Sequence, residues 1–149
     1  MGMTTSLYGC IIEHGVYNEL REKICSHNDL AINSLPSYDE WPPLTKQMFA
    51  ITQDSNFPRT PPSYEYWGRA IHFGGNFKSI EYEWKEWKAK FENLLQKLIW
   101  REAFVHFKTE YTDVQTFQWK IDSNKWSPYD KIEFGIINKE FWNFQGDQT

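Results

Sequence analysis

Apolar positions recur along this chain in two rhythms, and the switch between them outlines the fold. Residues 6–14, SLYGCIIEH, carry a continuous apolar centre with β-branched residues. That is the pattern of a strand covered on both faces. Gly15 breaks it, and Val16, Leu20, Ile24, Leu30 and Ala31 then fall at helical spacing, which predicts a helix over 16–34 with Gly15 or Asn18 at its start. Ser34-Leu35-Pro36 stops it, since the residue before a proline resists the α conformation. The clearest periodicity follows later. Ile80, Trp84, Trp87, Phe91, Leu94, Leu95 and Leu98 form one apolar stripe, with Glu81–Lys85 and Glu86–Lys90 as i,i+4 pairs on the polar side.

Period-two and short apolar runs supply the remaining elements. TKQMFAIT (45–52) and YWGRAIHF (66–73) read as strands, the second ending in a turn at Gly74-Gly75-Asn76. WREAFVHFKTEY (100–111) reads as a strand, and VQTFQWKI (114–121) places Phe117, Trp119 and Ile121 on one face, as a half-buried antiparallel strand does. Tyr111-Thr112-Asp113 is the turn between these two. KIEFGII (131–137) is a candidate last strand, whereas NKEFWNFQGDQT has no clear period. Between the elements lie two proline-rich stretches, LPSYDEWPPL (35–44) and QDSNFPRTPPSYEY (53–66), and the loop SNKWSPYD (123–130). The expected architecture is a single α+β domain over 1–149, in the order β-α-β-β-α-β-β with one strand more, built as an antiparallel or mixed sheet with two helices packed on it.

HFGGNFKSIEYEW (72–84) invites a phosphate-loop reading, with two glycines, a lysine and a serine ahead of a helix. It matches neither GxxxxGK[ST] nor GxGxxG. Glu81 and Glu83 also occupy the first turn, where they complement the positive helix end and would repel a phosphate. A glycine turn followed by a Ser79 cap is the expectation.

Composition narrows the function classes. The 149 residues are 40% hydrophobic and 18% aromatic, enough for a real core. No stretch nears the roughly 20 apolar residues of a membrane helix, and MGMTTSLYG has no signal-peptide pattern. Two cysteines, Cys10 and Cys25, are too few for a disulfide scaffold and fit reduced thiols in the cytoplasm. The net charge of −4 arises entirely in residues 1–65, with eight acids and four bases, while 66–149 balance. An acidic bias argues against nucleic acid and permits a basic protein partner. No membrane partner and no cofactor are expected. His14, His27, His72 and His106 show no metal-ligand spacing, so no metal is expected. Glu13-His14, as an acid–base pair, and Asp39-Glu40 are the only catalytic constellations to weigh, and no nucleophile motif accompanies them.

The eight tryptophans are the most informative excess. Trp84, Trp87 and Trp119 fall on buried faces. Trp41 and Trp126 stand in loops beside prolines and acids, SYDEWPP and NKWSPYD, where a ring is either an interface anchor or a lid folded onto the core. In overall character the chain resembles the small, acidic, aromatic-rich domains of bacterial immunity proteins, which block a toxin by binding it. The resemblance implies a non-enzymatic protein-binding domain that masks a basic partner with Tyr38, Asp39, Glu40 and Trp41, aided by Trp126, Tyr129 and Asp130. The alternative is a small enzyme or ligand-binding domain with a pocket between sheet and helix, lined by Tyr64, Trp67 and His72. A third reading has FWNF (141–144) docking on a second copy.

Overall fold

The computed structural model describes residues 4–16, 18–51, 69–111, 113–130 and 133–146. In chain order its elements are β1 (Thr4–Ile12), α1 (Asn18–Asn33), β2 (Phe49–Ile51), β3 (Ala70–Lys78), α2 (Trp84–Lys97), β4 (Glu102–Thr109), β5 (Gln115–Ile121) and β6 (Trp142–Gly146). The strands form one sheet in the order β2-β3-β1-β4-β5-β6, antiparallel at every junction. The α+β architecture and its element order are as the patterning predicts.

The sheet is one-sided. Leu7 and Ile11 of β1, Ile71 and Phe73 of β3, Ala103, Val105 and Phe107 of β4, and Phe117, Trp119 and Ile121 of β5 are all buried. They meet α2 through rings. Phe73 lies 5.2 Å from Phe91, Trp84 stands edge-on to Phe107 at 4.5 Å, and Phe91 lies 5.0 Å from Trp119. Of the alternate residues, Tyr8, His72, Lys78, Lys108 and Lys120 are exposed, while Cys10, Phe104 and His106 are half-buried. The continuous apolar run of β1 therefore does not mean two covered faces. Tyr8 and Cys10 supply apolar character on the outer side, where Tyr8 rests on the His106 ring.

Helix α1 flanks α2. Asn28, fully buried, ties it down by donating to the Ile99 carbonyl at 2.9 Å and accepting the Ile99 N–H at 2.8 Å. On the other side of the core, Trp119 donates its indole N–H to Glu92 at 2.9 Å, and Glu92 also meets Lys88 and Lys139.

Four local expectations change. Gly74 and Gly75 do not turn the chain; β3 runs through both. A Cβ at Gly74 would sit 2.9 Å from the Leu7 carbonyl, and one at Gly75 2.8 Å from the Phe77 ring, so these glycines mark close approach rather than a break. Ser79 adopts a left-handed conformation (φ 59°) and gives no side-chain cap; a 3₁₀ turn, Ile80–Glu83, leads into α2. The strand expected at 45–52 shortens to Phe49–Ile51 behind a 3₁₀ turn, Lys46–Met48.

The last strand is not KIEFGII. Lys131 and Ile132 lie outside the described residues; beyond them Gly135 has positive φ, and Ile137 donates its N–H to the Gln96 carbonyl, which carries the segment to the end of α2. The sheet is completed by WNFQG instead. There Trp142 faces Ile121 and Phe144 faces Trp119 in register, with Asn143 and Gln145 exposed. Of the FWNF rings, Trp142 is buried, and Phe141 and Phe144 are half-buried against this chain's own core.

Candidate functional site

The loop between α1 and β2 is unusually well fixed for a segment with so little regular structure. The helix ends where Ser34 turns back on Leu30, its N–H and hydroxyl both donating to the Leu30 carbonyl. The base of the loop closes where Lys46 donates to the Pro36 carbonyl at 3.1 Å. Its centre is organised by Asp39, whose carboxylate accepts the N–H groups of Glu40 and Leu44, each at 3.0 Å.

From α2, Lys90 then places its ammonium on three oxygens. These are Asp39 Oδ2 at 2.9 Å, the Glu40 carbonyl at 3.0 Å and the Pro42 carbonyl at 2.8 Å. Trp87 adds an indole bond to the Pro43 carbonyl at 2.9 Å. The Trp41-Pro42 peptide is cis. Partial burial alone would raise the Asp39 carboxyl; the Leu44 N–H and the Lys90 ammonium outweigh it and hold the group below its ordinary value. Asp39 is therefore a structural pin and not the free, steering carboxylate that its sequence position suggests. The exposed groups are its neighbours. Tyr38 is 86% exposed, Glu40 is exposed, and Trp41 is 49% exposed, with its ring edge-on to Phe77 at 6.1 Å.

Beside the pinned loop lies a cavity of about 600 Å³ between α1 and α2, lined by His27, Leu30, Ala31, Ser34, Leu35, Pro36, Asp39, Leu44, Lys90, Asn93, Leu94 and Lys97. This is a groove between two helices and a loop, where a pocket between sheet and helix is the alternative drawn from sequence. Of that alternative's residues, Tyr64 and Trp67 lie outside the described residues, and His72 stands exposed on the outer face of the sheet.

The second aromatic loop does not join the first. Trp126 is 4% exposed and packs on His14 with ring centroids 5.6 Å apart, a lid on the core and not an anchor for a partner. Tyr129 is exposed, while the Asp130 side chain lies outside what is described. Trp126 sits with His14 just past Ile12 of β1, whereas Trp41 leans on Phe77, which pairs with Thr5. Seven residues of β1 separate these levels, roughly 23 Å at 3.3 Å per residue, so the two loops mark opposite ends of the sheet.

Glu13 and His14, weighed as an acid–base pair, have separate fates. Glu13 is buried and takes the Arg69 guanidinium on both oxygens, at 3.0 and 2.9 Å, together with the Asn28 amide at 2.8 Å and the Cys25 thiol at 3.6 Å. Arg69 reaches Asp29 as well, at 2.7 Å. Burial would lower the Arg69 pKa, but its bonds to Glu13 and Asp29 raise it above its ordinary value. Sequence reasoning missed this network, because its members are scattered over 56 positions and neither Arg69 nor Asn28 stands in any motif. His14 is pushed down to about 4, by burial first and then by nearby Arg101. With Glu13 committed to Arg69 and Asn28 and the His14 ring laid on Trp126, the two adjacent residues do not form an acid–base pair.

His72 and His106 do not meet, because β1 runs between their strands. His72 pairs with Cys10, while His106 pairs with Tyr8 and contacts the Thr116 hydroxyl at 2.9 Å. Among the described residues no group of three His, Cys, Asp or Glu could hold a metal ion, and no helix is long and apolar enough to cross a membrane. No family model, curated protein or solved structure matches this chain.

Proposed function

We propose that this chain is a non-enzymatic protein-binding domain that contacts its partner with Tyr38, Glu40 and Trp41. One observation carries the reading: two large aromatic side chains stand exposed on a loop whose backbone is fixed by a lysine from the neighbouring helix. Rings presented on a rigid frame lose little conformational freedom on binding, which is how interface hot spots combine area with low entropic cost. Glu40 gives that surface a free carboxylate, and it suits a partner whose contact patch is basic. Masking of a basic toxin, as immunity proteins do, is the form of this activity that the acidic–aromatic loop fits best.

The test is affinity capture from the source organism with the wild-type chain and with Trp41→Ala and Glu40→Gln side by side. A specific partner is expected to be retained by the wild type and to lose at least tenfold in affinity on Trp41→Ala, with a smaller, salt-sensitive loss on Glu40→Gln. Equal retention by all three would remove this loop from the interface.

A further inference from the structure

We propose that the partner interface runs on from Trp41 across the adjoining end of the sheet to Tyr82 and Tyr111, and that it takes a protein surface carrying lysines or arginines around an apolar centre. This rests on the protein-binding reading of the Trp41 loop and adds the rest of the surface that such a complex needs. A stable complex covers about 800 Å² on each partner. Two aromatic side chains bury at most about 500 Å² between them, so Tyr38 and Trp41 do not suffice. Tyr82 is 75% exposed and Tyr111 is 82% exposed, and two more rings of this size make up the difference.

The fold brings these rings to one end. Trp41 stands on Phe77, next to the last residue of β3. Just past that strand the 3₁₀ turn Ile80–Glu83 carries Tyr82. Its neighbour Glu81 accepts the Thr5 hydroxyl, which ties the turn to β1. Thr5 is opposite Phe77 on one side and Thr109 on the other. Thr109 Oγ1 in turn accepts the Tyr111 N–H at 3.3 Å. Phe77, Thr5 and Thr109 thus form one row across β3, β1 and β4, roughly 9.6 Å wide. Trp41 is attached to its first member, Tyr82 through Glu81 to its second, and Tyr111 to its third. Tyr129, the exposed ring of the second aromatic loop, belongs with Trp126 at the opposite end.

Charge at this end selects the sign of the partner. Glu40, Glu83, Glu86, Glu110 and Asp113 stand exposed or half-buried around it, against Lys78, Lys85 and Lys108. The Glu110 carboxylate is fixed beside the row, where it accepts the Thr4 N–H at 2.9 Å. An acidic rim around apolar rings is complementary to bases set around an apolar centre, and it steers their encounter.

The photo-crosslinking residue p-benzoylphenylalanine, introduced in place of Trp41, Tyr82, Tyr111 or Tyr129 one at a time, tests this. Each full chain is irradiated in cells of the source organism and its crosslinked product identified by mass spectrometry. The first three positions are expected to capture one and the same protein, and position 129 none. The yield through position 41 should also fall at least fivefold when Tyr82→Ala is combined with Tyr111→Ala, and when Glu83→Lys is combined with Asp113→Lys. Capture at 41 without capture of the same protein at both tyrosine positions keeps the loop and overturns the extension. Capture at both tyrosine positions with none at 41 keeps the strand end and overturns the loop reading. Capture at none of them overturns both, and capture of the same protein at 129 overturns the confinement to one end. An unchanged yield in the alanine pair overturns the extension, and in the lysine pair it overturns the basic partner.

Discussion

His14 shows how a single side chain couples this fold to pH. Its ring is packed against Trp126, its Nε2 is buried without a hydrogen-bond partner, and Arg101 lies near enough to oppose a positive charge. The folded ring therefore protonates near pH 4, while in the unfolded chain it does so near 6.5. As the pH falls between these values the unfolded state binds the proton first, so stability drops through that window, and below about 4 no further loss comes from this residue. At about 1.4 kcal/mol per pH unit the whole effect is bounded at about 3.5 kcal/mol, reduced by whatever solvent reaches the ring. Urea titrations at pH 6.5 and 4.5 should show this fall in the wild type and a shallower one in His14→Phe, which keeps the ring contact and removes the charge. An equal fall in both would clear His14 of the role.

At the level of elements, the proline-bracketed loop and α2 behave as one unit joined through Lys90. Replacing it by Met keeps the aliphatic stem but withdraws the cation from three oxygens, leaving Asp39 without its ion pair. The expected cost is about 1–2 kcal/mol. Amide exchange should quicken at Leu44, whose N–H is held by Asp39, while the strand amides of β4 and β5 keep their relative protection. If Leu44 exchange is unchanged, the loop owes its order to something other than Lys90.

Much of the element plan was legible because apolar spacing reports burial directly. The stripe from Trp84 to Leu95 and the alternation of Phe117, Trp119 and Ile121 are both borne out. The misreadings share a cause, which is that a local signal was decided by a distant partner. Gly74 mimics a turn until its crowding by Leu7 on the neighbouring strand is known. WNFQG does alternate, over too few residues to stand out, and Trp119 and Ile121 decide its place. Lys90 looked like half of a helical i,i+4 pair and instead holds the loop of the candidate site. Whether Trp41 and Trp126 stand out or fold onto the core was an open alternative that only three-dimensional packing could resolve: Trp41 stands half-exposed and Trp126 is buried.

Taken as a whole, the molecule puts its first strand third from one edge and fourth from the other, at the centre of the sheet. Ile12 is opposite Ala70 and Glu102, and Thr5 is opposite Phe77 and Thr109, so every ladder that β1 makes joins residues far apart in sequence. Such non-local pairing pays its loop-closure entropy before any contact rewards it, and stopped-flow refolding is expected in the millisecond-to-second range and not in microseconds. Microsecond refolding would mean that the helices alone set the rate. The same arrangement gives synthesis an awkward interval. At roughly 5–20 residues per second, the last residue of β1 is added about 5–20 seconds before Thr109. Until then the segment that will become the centre of the sheet, with Leu7 and Ile11 in it, has no β4 to pair with, and its apolar residues are what a chaperone would have to cover.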